Sequence, residues 1–118
     1  MSVPVDAPLP EPADARERAR RAVWEQHRPG LLAKAGVIEH AIAALDTAEL
    51  DEQLRIQAQG CAHMLSGSLG IFHFTQASEV AHELELELAQ PAPAYAPALS
   101  TLLAIVRRGL DAEWLTQK

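Results

Sequence analysis

The sequence predicts an all-α protein, and three observations carry that expectation. Apolar residues make up 48% of the 118 positions while aromatics are only 4%, so a core must be built from Leu, Ile, Val and Ala. Those residues suit packed helices better than a sandwich or barrel. Apolar side chains also recur at intervals of three and four along most of the chain, the period of a helix with one buried face. Finally, prolines, a capping sequence and a glycine cluster divide these stretches into helical segments, and the length suits one domain.

The stretch Met1 to Pro12 lacks the basic start and apolar run of a targeting signal, and Pro4, Pro8, Pro10 and Pro12 punctuate it, so it reads as a disordered lead-in to a domain spanning residues 13 to 118. Ala13 to Arg28 is rich in helix formers of mixed charge. Ala15, Ala19, Ala22 and Val23 recur at helical spacing, which predicts a short N-terminal helix that Pro29 breaks or kinks. Leu31, Ala35, Ile38, Ile42 and Leu45 then form the narrow seam of a helix packed in a bundle. Asp46 with Glu49 has the form of a capping box and predicts the start of the next helix, whose buried stripe is Leu50, Leu54, Ala58, Cys61, Leu65 and Leu69. That helix is expected to end near Gly67 to Gly70. After the link Ile71-Phe72-His73-Phe74, Thr75 can cap a helix burying Ala77, Val80, Ala81, Leu84 and Leu88. Pro91, Pro93 and Pro97 mark a loop, and Leu99, Leu102, Val106, Leu110 and Trp114 define the last helix.

Charge and cysteine content exclude several classes. With 10 Lys+Arg against 16 Asp+Glu the net charge is −6, which opposes binding to nucleic-acid phosphates. A single cysteine, Cys61, permits no internal disulfide and no thiolate metal cluster, so a reducing cytoplasm is the expected location. No apolar run approaches the roughly 20 residues of a membrane-spanning helix, which predicts a soluble protein with no membrane contact.

The most informative position lies opposite the Leu50 to Leu69 stripe. At about 100° per residue, His63 points roughly 170° away from the stripe's centre. Gly60, Gly67 and Gly70 share its outer face, with Gln59 and Ser66 one turn to either side and Ile56 two turns before it. Glycine in a helix costs up to about 1 kcal/mol relative to alanine, so the clustering asks for a reason. One reason is ordinary: Gly67 and Gly70 stop the helix and Gly60 is a tolerated defect. The other is access, because bare backbone around an outward imidazole lets another protein approach the ring closely. A largely neutral imidazole can act as a nucleophile, and one without a pocket implies chemistry completed by a partner.

The segment Ala62-His63-Met64-Leu65-Ser66-Gly67-Ser68-Leu69-Gly70, with Ala81-His82-Glu83-Leu84-Glu85 further on, resembles the phosphoacceptor motif of histidine-containing phosphotransfer (HPt) domains of bacterial phosphorelays. The resemblance spans about Pro29 to Leu115. It implies an up-down four-helix bundle with an additional short N-terminal helix. It further implies that His63 accepts a phosphoryl group from the aspartyl phosphate of a receiver domain and passes it to another receiver, with Gly67 keeping the ring accessible. On this reading the domain brings no cofactor or metal, since Mg²⁺ belongs to the receiver. Its partners are receiver domains or a hybrid histidine kinase, and a monomer suffices. Ile56, Gly60, Met64, Gly70 and His73 are the expected docking positions.

The motif departs from the family at two places. Ser66 stands where the family often has lysine, leaving only neutral donors such as Ser66 and Gln59 for phosphoryl oxygens and implying slower or more partner-dependent transfer. His73 replaces a glycine expected ten residues after the phosphoacceptor, either crowding the site or offering a second contact. These departures keep open a second class, an HPt-like adaptor that docks a receiver or kinase without being phosphorylated.

Other chemistry is poorly supported. Of the five histidines, His40 and His82 read as surface residues, and the lone Glu79-x-x-His82 pair falls short of a bundle di-iron site. No Gly-x-Ser-x-Gly elbow or phosphate-binding Gly-x-x-x-x-Gly-Lys occurs. The Glu79, Glu83, Glu87 row reads as a solvated face, Cys61 as a small core residue, and Trp24 and Trp114 as packing residues or anchors.

Overall fold

A computed structural model describes residues 12–91 and 96–111, and among them every regular element is a helix: α1 Pro12–Asp46, α2 Glu52–Ile71, α3 Thr75–Leu88 and α4 Ala96–Asp111. Both α1 and α3 pack on α2 and on α4, so the four close into a ring around one apolar core. The lead-in up to residue 11, Pro93 and Trp114 lie outside the described residues. No helix among the described residues is long and apolar enough to cross a membrane.

The break expected at Pro29 does not occur, because α1 is a single helix of 35 residues that runs through it. Proline inside a helix removes an amide donor and crowds the preceding turn, costing about 3 kcal/mol. Three features offset that cost. Pro29 lies on the exposed face, where water can satisfy the carbonyl it leaves without an amide partner. Trp24 and Leu31 are buried on either side of it. Arg28 donates from Nε to the Leu110 carbonyl and from Nη2 to Asp111 at 3.3 Å, placing a cation at the C-terminal end of α4.

The alanine stripe expected to bury the N-terminal segment does not do so. Ala15, Ala19 and Ala22 are exposed and Val23 is 43% exposed. Trp24 makes the contact instead, with its ring 5.1 Å from Phe72 and 4.5 Å from Phe74. This part of α1 meets the α2–α3 turn, where one large aromatic covers what a stripe of methyl groups could not.

The remaining stripes follow the periodicity closely. All five positions expected on α3 are buried, and on α4 Leu103 replaces Leu102 beside Leu99, Val106 and Leu110. On α2 the helix is turned so that Ala62 enters the core, while Cys61 is partly buried and its thiol is pushed up by desolvation. Arg55 is also buried, donating from Nη1 to the Leu88 carbonyl at 2.7 Å while its other nitrogens hold Glu52. It thereby ties the start of α2 to the end of α3, and the guanidinium holds the Glu52 carboxyl below its ordinary range.

Two helix ends differ from expectation for one reason. Asp46 and Glu49 do not form a capping box. The Glu49 amide donates to the Ala44 carbonyl at 2.7 Å and the Ala48 amide to Leu45 at 3.1 Å, closing α1 with Ala48 in the left-handed region at φ 58°. Asp51 caps α2 instead, accepting from the Leu54 amide at 2.7 Å. At its other end α2 passes through Gly67 and Gly70 and closes at Ile71 in the same way, with amide bonds from His73 to Gly70 at 3.1 Å and from Phe74 to Leu69 at 2.9 Å. His73 takes φ 67° there. Thr75 is the first residue of α3 and not its cap.

Three outcomes follow from these contacts. Ala48→Gly and His73→Gly each relieve a left-handed side chain and should stabilise the fold by about 1 kcal/mol, read as a rise of several degrees in Tm. A Cβ at Gly109 would lie 2.8 Å from the Ala77 Cβ, so Gly109→Ala should lower denaturant stability by about 1–3 kcal/mol through forced separation of α3 and α4. Because the folded-state Glu52 lies below its ordinary value of 4.5, its contribution is present above pH 4.5 and disappears as pH falls through the lower folded-state value. Glu52→Gln should therefore be less stable than wild type at neutral pH, and the two curves should converge in acid.

Candidate functional site

His63 sits midway along α2 with its side chain 71% exposed, as its position opposite the buried stripe requires. Both neighbouring glycines lie inside the helix. Neither takes a positive φ, and a Cβ built at Gly60 or at Gly67 would meet nothing within 4 Å. They are therefore neither stop signals nor close-packing residues of this chain. What their lack of side chains produces is open surface on both sides of the imidazole. Met64 at 53% and Ile56 at 54% exposure add apolar surface beside it.

One contact orients the ring. Its Nδ1 lies 2.9 Å from Oε2 of Glu85, a half-buried carboxylate on α3. A carboxylate accepts, so Nδ1 carries the hydrogen, and in the neutral ring the lone pair is then on Nε2. The other Glu85 oxygen, Oε1, lies 3.4 Å from Nδ1 of His82, which is 58% exposed. Neither Glu85 nor the engagement of His82 emerged from helical periodicity, because both depend on how α3 is rotated against α2. Only the Leu84-Glu85 pair in the family-like segment pointed there.

Ser66 plays a different part from the one expected. Its hydroxyl donates to the Ser78 carbonyl at 3.1 Å, and the Ser78 hydroxyl donates to the Ser66 carbonyl at 2.7 Å. The hydrogen that was to reach phosphoryl oxygens is committed to α3, and the pair fixes the register of α2 against α3 one turn from His63. Gly70 belongs to the same contact, since a Cβ there would press on the Ser78 hydroxyl at 3.3 Å. Gln59 is half-buried one turn before His63. His73 lies in the turn after α2, about 15 Å along the helix axis from His63, too far to crowd the ring.

Charge is one-sided here. α3 carries Glu79, Glu83, Glu85 and Glu87 with no Lys or Arg, and the Arg55 of α2 is engaged with Glu52 and Leu88. Among the described residues no group of His, Cys, Asp and Glu side chains is placed to hold a metal ion, the His63, Glu85 and His82 trio included.

The site is thus an oriented, exposed imidazole on a helix face that two glycines leave bare. The sequence profile of the Hpt domain family matches residues 35–112, and the chain belongs to that family. It is similar to Protein RcaC of Microchaete diplosiphon, at 33% identity over 97 residues that cover 80% of this chain and 15% of the relative. No solved structure matches the chain. Hpt domains are phosphotransfer carriers of two-component phosphorelays, not enzymes of the ordinary kind, and they interact with receiver domains and histidine kinases.

Proposed function

We propose that His63 is the phosphoacceptor, taking a phosphoryl group from the aspartyl phosphate of a receiver domain and returning it to another receiver. The observation that carries this reading is the exposed ring whose Nδ1 is held by Glu85 at 2.9 Å. The Nε2 lone pair attacks phosphorus, a P–N bond forms as the P–O bond to the aspartate breaks, and the carboxylate leaves. Positive charge then spreads over the ring, where the Glu85 carboxylate offsets it at Nδ1–H. Nothing else on this chain need move, since phosphoryl transfer depends chiefly on positioning and charge stabilisation.

The acidic surroundings support a division of labour. A phosphoryl group brings roughly two further negative charges beside a helix α3 that carries four glutamates and no Lys or Arg, so the positive counterweight, Mg²⁺ included, belongs to the receiver. Gly60 and Gly67 leave room for that partner, and Ile56 and Met64 give it apolar contact. We read residues 13–118 as a single domain, with the ring of helices as the family's up-down bundle and the part of α1 before Pro29 as its additional N-terminal helix. A cytoplasmic, monomeric carrier fits one-to-one encounters of this kind.

Incubation with a phosphorylated receiver should place acid-labile, base-stable label on the wild type and none on His63→Gln; label retained in that variant would refute the assignment. Gly67 separates docking from folding. Gly67→Leu should be at least as stable as wild type, by up to about 1 kcal/mol, because leucine favours helix and meets nothing there. It should nevertheless slow transfer about tenfold or more by blocking approach to the ring, as measured by rapid quench.

A further inference from the structure

We propose that His82 is a positioning residue for transfer at His63, acting through Glu85. This rests on the phosphoacceptor reading for its kinetic consequence, but its structural part stands without it. Glu85 has one oxygen on His63 at 2.9 Å and the other on His82 at 3.4 Å, so the two imidazoles grip opposite sides of one carboxylate.

The carboxylate needs such a grip. Glu85 approaches His63 from another helix, 22 residues away in sequence, on a side chain with three rotatable bonds. Hydrogen bonding to one oxygen alone leaves the carboxylate free to swing about its last bond and exchange which oxygen, or neither, meets His63. His82 lies one turn before Glu85 on α3, the spacing at which helical side chains meet. Its contact is the longer of the two, so it steers the carboxylate while His63 takes the shorter bond.

Among the described residues, the hydrogen bonds that reach the Glu85 carboxylate come from His63 and His82. On α3, Glu79 and Glu83 are acceptors and repel a carboxylate. From α2, the Ser66 hydrogen goes to Ser78, and Gln59, an amide donor one turn before His63, makes no described hydrogen bond to Glu85. Where α4 lines α3, beside Glu83 and Glu87, it contributes the uncharged Ala98, Leu99 and Leu102. With no lysine or arginine on α3, a second histidine is the donor that keeps Glu85 aimed.

The function of the aim is to select a tautomer. An imidazole left to itself carries its hydrogen on either nitrogen, and only the form with hydrogen on Nδ1 presents a lone pair at Nε2 to an incoming phosphorus. His82 acts by raising the fraction of His63 in that form.

The test compares wild type, His82→Ala and His82→Asn. The asparagine amide occupies the place of the histidine Nδ1 and can donate to Glu85 without an imidazole. Two readouts are taken on each folded protein: the His63 tautomer from ¹⁵N shifts of its ring, and the single-turnover rate from a receiver domain loaded with acetyl phosphate. His82→Ala should lower the Nδ1–H fraction of His63 and slow transfer about fivefold, the kinetic equivalent of one ordinary hydrogen bond, and His82→Asn should restore both. An unchanged tautomer in His82→Ala overturns the proposal, as does a loss that His82→Asn fails to rescue. If wild type itself takes no label, the phosphoacceptor reading fails, while the tautomer measurement still decides whether His82 positions Glu85.

Discussion

The contact between α2 and α3 governs everything the site can do. His63 and Glu85 come from different helices, so their bond exists only if the two helices hold one register and one rotation. That register is set at three levels. Ser66 and Ser78 exchange hydroxyl-to-carbonyl bonds beside the site, Arg55 ties the start of α2 to the last carbonyl of α3, and the turn between them is closed over buried Leu69 and Phe74. Each bond is modest, about 1 kcal/mol net for a neutral pair, but together they leave little freedom to slide. A slip of one residue would turn Glu85 by about 100° and remove it from the imidazole.

Much of this was legible in the residues, and the boundary is physical. Burial follows period, so all five inward positions of α3 could be read directly, and the outward aim of His63 followed from the same arithmetic. Periodicity is blind to charged residues that face inward, which is why Arg55 was missed: its burial depends on a carbonyl brought from 33 residues away. It is equally blind to rotation between helices, so Ser66 was expected to face the phosphoryl group and instead faces Ser78. Pro29 misled for another reason. Its local cost is real, but Trp24 and Leu31 exceed it through tertiary contacts that the local sequence does not display.

The two departures from the family pattern acquire separate explanations. Position 73 lies where the backbone turns left-handed, so glycine is suited there by backbone conformation and owes nothing to the chemistry at His63. Histidine is among the side chains that tolerate this region better than most. Serine at position 66, by contrast, reports on the site itself, because it exchanges a mobile cation for a bond that stiffens the helix pair. The face thus gives up charge and gains rigidity.

The unbroken passage of α1 through Pro29 also divides that helix into two cooperative units. At the proline one rung of the hydrogen-bond ladder is missing, and toward the N-terminus of it Trp24 is the one fully enclosed side chain among the residues whose burial is described. Toward the C-terminus, Leu31, Ala35, Ile38, Ala41 and Ile42 are all enclosed. Opening of the first unit forfeits the indole's contacts and the Arg28 bonds to the end of α4, whereas opening of the second dismantles the core. Native-state hydrogen exchange therefore has a natural boundary at position 29, with fast sub-global opening before it and protection close to the global limit after it.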